Sequence, residues 1–167
     1  MNYLLTVYGN DDTGLVESLA STIESLGGNW LESRLCRLEG QFTGIVRVNF
    51  KSAVGDLPKT VGSLNCSWSQ MQSSDAGALD STKEAVIKVL AADRPGIIRQ
   101  ISRILSSNGA NIEEVESHIK NAPFSGEQMF EARYRISFQE TSKDSNIQSG
   151  LESLAEELMC DLEYQNK

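Results

Sequence analysis

The sequence has few of the residues on which several large protein classes depend. Its 167 residues include three cysteines, and Cys36, Cys66 and Cys160 lie far apart without a CxxC spacing. Neither a disulfide framework nor a zinc site is therefore expected. No apolar run approaches the roughly 20 residues that span a bilayer, and the start lacks the basic and apolar regions of a secretory signal. We expect a cytoplasmic protein without membrane contact.

Basic residues and catalytic motifs are also scarce. The chain has 15 Lys and Arg against 23 Asp and Glu, a formal charge of −8, and no basic block. Nucleic-acid binding draws much of its affinity from neutralised phosphates, so direct contact with DNA or RNA is not expected. The sequence contains no nucleophile elbow, paired histidine ligands, Walker loop or GxGxxG. We therefore expect no enzyme, and we assign no catalytic residue, metal or cofactor.

What the sequence does contain is an internal repeat. Gly14 aligns with Gly96, and other identities recur at the same offset of 82 residues. They are Val7/Val89, Asp11/Asp93, Ser25/Ser107, Gly27/Gly109 and Asn29/Asn111. Because the matches fall on special backbone positions and on one helix face, we expect two copies of one unit. We place the first at residues 1–73, the second at 84–167, and a small polar linker at 74–83 between them.

Both copies show the same order of predicted elements. Apolar and β-branched runs predict strands at 4–8, 29–38, 42–50 and 66–72, and again at 85–90, 111–119, 130–138 and 161–165. Apolar residues at helical spacing predict helices that end at Gly27 and Gly109. A second helix is signalled strongly at 144–159 and weakly at 53–64. The order βαββαβ predicts an α+β fold, with two ferredoxin-like domains in tandem, antiparallel sheets and helices on one face.

Two common classes of protein with this topology are excluded, because their sequence signatures are missing here. RNA-recognition domains expose aromatic residues on the third strand, whereas both third strands here alternate so that the phenylalanines share the inward face. Copper-chaperone domains need a CxxC in the first loop, which instead reads GNDDTG and AADRPG. The other sheet face carries Arg47 and Arg135 at equivalent places, as surface charges or as contacts to a partner.

The first loop of the second copy has a specific pattern. Asp-Arg-Pro-Gly-Ile-Ile opens a helix after a strand, and Gly-Ala-Asn-Ile opens the next strand. This pattern resembles the ACT domain, a small regulatory module that binds amino acids. Two such modules in one short chain, with SRLCRLEGQFT in the first and NIEEVESHI in the second, resemble the glycine cleavage system repressor family. The resemblance covers nearly the whole chain.

The resemblance implies an amino-acid site at the interface of paired domains, touching this loop and the start of the second strand. The candidates in the second copy are Asp93, Arg94, Pro95, Gly96, Ile97 and Asn111. Those in the first copy are Asn10, Asp11, Gly14, Leu15 and Asn29.

The residues themselves favour such a site. A helix N-terminus presents free N–H groups and partial positive charge to a carboxylate. Asp93 suits an ammonium group or simply favours the helix dipole, and Asn111 offers a donor and an acceptor beside the same loop. The first copy departs from the pattern, because Asp12 stands where the second has Arg94, and two adjacent acids repel an incoming carboxylate. We therefore expect the second loop to be the ligand site.

The resemblance further implies an allosteric regulator of transcription. Its effector would be a small amino acid such as glycine, and it would be a repressor of glycine cleavage genes. Because no helix-turn-helix segment is found, it would act by contact with a LysR-type transcriptional activator, as a homodimer. The alternative, from a different class, is a non-sensing ACT interaction and dimerisation module whose ligand site has decayed.

Overall fold

The computed structural model describes residues 1–52, 54–71, 82–122, 126–139 and 144–166. The chain divides into two compact units, Met1–Ala76 and Gly77–Lys167. Residues 74–81 of the predicted linker lie outside the described residues. Its last two residues, Thr82 and Lys83, begin a strand of the second unit.

The described residues of the first unit form one helix and a five-stranded sheet. Its elements are β1 (Asn2–Asn10), α1 (Leu15–Ser25), β2 (Gly28–Leu38), β3 (Gln41–Phe50), β4 (Thr60–Val61) and β5 (Leu64–Met71). The strand order is β2-β3-β1-β5-β4, and every pair is antiparallel.

The second unit contains the complete βαββαβ order. Its elements are β6 (Thr82–Ala92), α2 (Ile97–Ser107), β7 (Asn111–Asn121), β8 (Gln128–Gln139), α3 (Asp144–Leu158) and β9 (Asp161–Asn166). The sheet order β7-β8-β6-β9 is antiparallel throughout. The predicted α+β class and the ferredoxin-like topology are confirmed.

Each unit has its own hydrophobic core on the helix face of its sheet. In the first unit α1 buries Leu15, Leu19 and Ile23, while β3 buries Val46, Val48 and Phe50. In the second unit α2 buries Ile97, Ile101 and Leu105, and the predicted inward residues of β8 are all buried. Each fully buried aliphatic or aromatic side chain contributes about 1.5–3 kcal/mol. The prediction that the alternating apolar residues of each unit's third strand face the core is therefore confirmed by this burial.

The helix predicted weakly at 53–64 is wrong. Residues 54–59 form neither helix nor strand, and β4 follows them directly. Pro58 has no backbone N–H to donate, which disfavours a helix interior, and its carbonyl accepts the indole N–H of Trp68 at 2.9 Å. Val54 and Leu57 still pack against the core. The apolar residues that resembled a helical stripe reach the core from a loop.

Candidate functional site

The loop between β6 and α2 presents free backbone N–H groups at one end of the second unit. Gly96 caps α2 in the left-handed region, with φ 99°, a conformation that favours glycine because it has no Cβ. The first helical hydrogen bond runs from the Gln100 N–H to the Gly96 carbonyl at 3.0 Å. No side chain of the described residues caps this helix. The first-turn N–H groups therefore have no helical partner and suit an anion.

The loop between β1 and α1 has the same backbone. Gly14 caps α1 with φ 88°, again without a side-chain cap among the described residues. The Ser18 N–H donates to the Gly14 carbonyl at 2.9 Å. The two loops thus present equivalent helix N-termini, and any difference between them lies in the side chains.

The difference is in the aspartate that follows the first strand. The Asp11 N–H donates to the Gly40 carbonyl, and the Asp93 N–H to the Gln128 carbonyl, each at 2.9 Å, so both loops are held to the neighbouring hairpin in the same way. The Asp11 carboxylate lies 2.6 Å from the Arg37 Nε. Asp93 has no ion-pair partner among the described residues and is exposed. At this position, the second loop has an aspartate without an ion-pair partner among the described residues, whereas the first loop does not.

The different pairing of the two aspartates is caused by one position near the end of the second strand of each unit, β2 or β7. Arg37 pairs with Phe42, and Ile119, at the equivalent position, pairs with Phe130. Ile119 is 47% exposed and carries no charge for Asp93. Neither residue is among the candidates predicted from the sequence, although the same offset of 82 aligns them. In that alignment, the replacement of Arg37 by Ile119 indicates that the two loops differ in charge.

Several other candidate side chains are already hydrogen-bonded or buried within their own unit. The Asn10 side-chain oxygen accepts the Gln41 amide at 3.0 Å, and its carbonyl accepts the Ser63 hydroxyl at 3.0 Å. The Leu15 and Ile97 side chains are buried in the two cores. Leu15 and Ile97 therefore have only their backbone N–H groups to offer a ligand.

The prediction that Asn111 lies beside the loop is wrong. Asn29 lies just as far from the loop of its own unit, because it pairs with Asn49 whereas that loop is held at Gly40. Asn111 pairs with Ser137, whereas the loop is held at Gln128. Nine residues of β8 separate these positions, about 30 Å in a strand. Asn111 follows the C-terminal end of α2, so it lies at the opposite end of the unit.

Arg94, Pro95 and Gly96 line a shallow depression with Arg99, Gln100 and Glu157. The Arg94 Nη2 donates to the Gln100 Oε1 at 3.2 Å, which holds the guanidinium beside the first turn of α2. The depression therefore combines a cation, a helix N-terminus and a nearby carboxylate. This mixed set suits a zwitterion better than a simple anion.

The open faces of the two sheets carry matching ion pairs. Arg47 lies 3.3 Å from Glu32, and Arg135 lies 3.2 Å from Glu114. The equivalent arginines noted in the sequence are therefore paired within their own units. Exposed pairs such as these contribute little to stability.

The described residues contain no group of His, Cys, Asp and Glu that could hold a metal ion. His118 lies 2.8 Å from Glu131 on an exposed surface. Burial raises the pKa of the Cys66 and Cys160 thiols, so neither is activated as a thiolate. Within the same residues, no helix has the length and apolar character needed to span a membrane.

Comparison with known proteins agrees with the repeated architecture. The ACT domain family matches residues 2–65 and again residues 85–131. A crystal structure of an unknown protein from Galdieria sulphuraria has a TM-score of 0.85 at 24% identity, covering 99% of this chain and 98% of that one. A candidate glycine cleavage system transcriptional repressor has a TM-score of 0.65 at 12% identity, covering 99% and 96%.

At these identities the two structures show the fold alone. No curated protein matches the sequence. ACT domains are regulatory modules that commonly bind amino acids. With a match in each unit, the chain belongs to the ACT-domain family as a tandem ACT-domain protein.

Proposed function

We propose that this protein is an amino-acid-responsive regulator whose second unit binds the ligand. The proposal rests on one contrast, the unpaired carboxylate of Asp93 against the paired carboxylate of Asp11. A free amino acid carries a carboxylate and an ammonium group close together. The carboxylate would accept hydrogen bonds from the first turn of α2, and the ammonium group would pair with Asp93.

In the first unit, Arg37 takes the place of the ligand's ammonium group. Its Nε lies 2.6 Å from the Asp11 carboxylate, so an incoming amino acid would have to displace it. Asp12 also stands at the mouth of this loop where the second unit has Arg94. We therefore propose one ligand per chain, bound by the second unit.

The family resemblance supports a choice of ligand and partner to test. Glycine is the first effector to test, and repression of glycine cleavage genes is the proposed role. The protein would act in the cytoplasm by holding a LysR-type transcriptional activator, without contacting DNA itself. Ligand binding would change the affinity for the activator, with a coupling of about 1–3 kcal/mol as in typical allosteric systems.

Calorimetry with glycine and a panel of amino acids tests the proposal. Gly96→Trp should abolish binding, because its side chain would fill the open space in front of the first turn. Gly14→Trp is the matched control, since both glycines have positive φ and neither Cβ would meet an atom within 4 Å. The backbone strain is therefore similar, and the control should bind as the wild type does.

Two results would contradict the proposal. One is the absence of heat and of any shift in melting temperature with millimolar amino acids. The other is equal loss of binding in the two glycine variants. The first result would leave the alternative of an ACT interaction module that senses nothing, which a pull-down from native lysate would then address.

A further inference from the structure

A groove runs along the second unit between α2 and β7. On the helix side it is lined by Arg99, Ser102, Arg103 and Ser106, and on the other side by the segment Ala110–Ile112. Strand β7 lies at the edge of its sheet, next to β8. The groove therefore lies along the border of the unit, outside the core.

Exposed apolar side chains continue the floor of this groove along β7. Val115 pairs with Tyr134, and Ile119 pairs with Phe130; both of these partners are buried. Because directly opposed residues of an antiparallel pair point to the same face, Val115 and Ile119 lie on the helix face of the sheet. They are nevertheless 45% and 47% exposed, so the core does not cover the edge strand.

Helix α2 adds one exposed aliphatic residue to the floor. Helical residues four positions apart share a face, so Ile98 belongs to the row of Ser102 and Ser106, which line the groove. Ile98 is 45% exposed. We define the α2–β7 groove by its apolar floor and by the two arginines of its rim, which are Ile98, Ile112, Val115 and Ile119, with Arg99 and Arg103.

The rim of the groove is basic. Arg99 and Arg103 are exposed, and neither lies within ion-pair distance of an acid among the described residues. Residues 94–112 contain no Asp or Glu. Glu113, the first acid beyond this run, accepts the Asn111 amide at 2.7 Å. The rim is therefore open to an acidic partner.

The first unit does not repeat this combination of residues. At the offset of 82, the positions equivalent to the two rim arginines and to the two exposed residues of β7 are occupied by Glu17, Ser21, Ser33 and Arg37. The first unit forms the same helix and strand with these residues. The fold therefore does not require a basic rim beside an apolar edge strand.

We propose that the α2–β7 groove binds an acidic amphipathic helix of a partner protein. Such a helix would place its apolar stripe on the floor, and its flanking Asp or Glu side chains would pair with the two arginines. The floor is about 20 Å long from Ile112 to Ile119, which corresponds to about 13 residues of helix. The apolar floor favours a protein over nucleic acid, whose affinity comes largely from phosphate contacts. This inference goes beyond the proposed ligand site and does not depend on it.

Fluorescence anisotropy with two labelled synthetic peptides provides the test. The acidic peptide is a helix of about 15 residues, with leucine at positions i, i+3, i+4 and i+7 and with glutamate on its other faces. The basic peptide has lysine in place of each glutamate. The full chain should bind the acidic peptide, less tightly as salt rises, and the basic one about tenfold more weakly. Because the chain has a formal charge of −8, non-specific attraction would give the opposite preference.

Two variants and a matched control locate the binding. Arg103→Glu should weaken binding of the acidic peptide by about tenfold and strengthen binding of the basic peptide, a gain that a misfolded chain would not show. Val115→Glu should also weaken the acidic peptide, because it places a carboxylate on the floor. Arg133→Glu changes net charge as Arg103→Glu does, but Arg133 is exposed on the opposite face of the sheet, so this control should bind as the wild type does. Arg99 is left unchanged because it lines the depression at the proposed ligand loop.

The proposal is overturned if the wild type prefers the basic peptide, or binds neither peptide at millimolar concentration. Equal loss of acidic-peptide binding in Arg103→Glu and in Arg133→Glu would also overturn it. So would amide chemical-shift changes, on adding the acidic peptide, that lie outside α2 and β7. Duplex DNA that binds the wild type more tightly than the acidic peptide, and that is lost in Arg103→Glu, would assign this surface to nucleic acid instead.

Discussion

The contrast between the two loops predicts the effect of a single substitution in the second unit, Ile119→Arg. Ile119 occupies the position of Arg37 at the repeat offset, and it is 47% exposed. An arginine there has room to extend without disturbing the core. It should reach the Asp93 carboxylate as Arg37 reaches Asp11, and so compete with the ligand's ammonium group.

The first unit gives the magnitude of this competition. The Asp11–Arg37 contact joins side chains that are 25% and 69% exposed. Pairs this exposed contribute about 0.2–1 kcal/mol. A ligand that must displace an equivalent pair therefore loses up to about 1 kcal/mol, which corresponds to a rise in Kd of about fivefold.

Calorimetry with the tightest-binding amino acid of the panel, at low and at high salt, measures the effect. Ile119→Gln is the matched control, because it adds a polar side chain without the charge. The arginine variant should bind more weakly at low salt and recover as salt screens the new pair, while the glutamine variant stays near the wild type. An arginine variant with unchanged affinity, or a glutamine variant that is equally weak, would refute the reasoning.

Three further predictions concern stability and ionisation. Tyr134→Phe should raise the free energy of unfolding in urea by about 1 kcal/mol, because the buried hydroxyl has no hydrogen-bond partner among the described residues; a lower value would contradict this. Gly44→Ala should lower the free energy of unfolding by about 1–3 kcal/mol, since a Cβ would overlap the Arg34 carbonyl oxygen, and an unchanged melting temperature would count against it. The Lys120 hydrogen bond lowers the pKa of Glu131, so this contact stabilises the fold above the ordinary carboxyl pKa and is lost as pH falls through the lowered one. Lys120→Met should return that pKa towards its ordinary value in an NMR titration, and no change would show that the lysine is not the cause.

The sequence predicted the second unit well because its local and long-range signals agree. The alternation in β8 and the helical spacing in α2 each place apolar residues on one face, and the structure buries that face. In the first unit the two kinds of signal conflict. Residues 54–57 supply apolar side chains, but Gly55 and Pro58 disfavour a helix. The apolar side chains therefore pack against the core from a loop.

The site was predicted less completely because its parts come from distant places in the chain. The glycine at the start of α2 follows from local turn chemistry and was found. Asn111 was misplaced because it follows α2 closely in sequence, whereas the helix carries the chain to the other end of the unit. The pair between Asp11 and Arg37 depends on how the hairpin of β2 and β3 folds back onto the first loop, which no local pattern reports.

The duplication helps to separate what the fold requires from what a function requires. Gly27 and Gly109 have φ of 74° and 73°, and Gly14 and Gly96 also agree, so these identities follow from turn geometry in both units. Identity alone does not imply a shared role, because Asp11 and Asp93 keep the same backbone bond and differ in their partners. Where the backbone is the same and the side chains differ, as at residues 37 and 119, the fold does not dictate the residue type. Those positions are where the two units could diverge in what they bind, and they are where substitutions should change binding before they change stability.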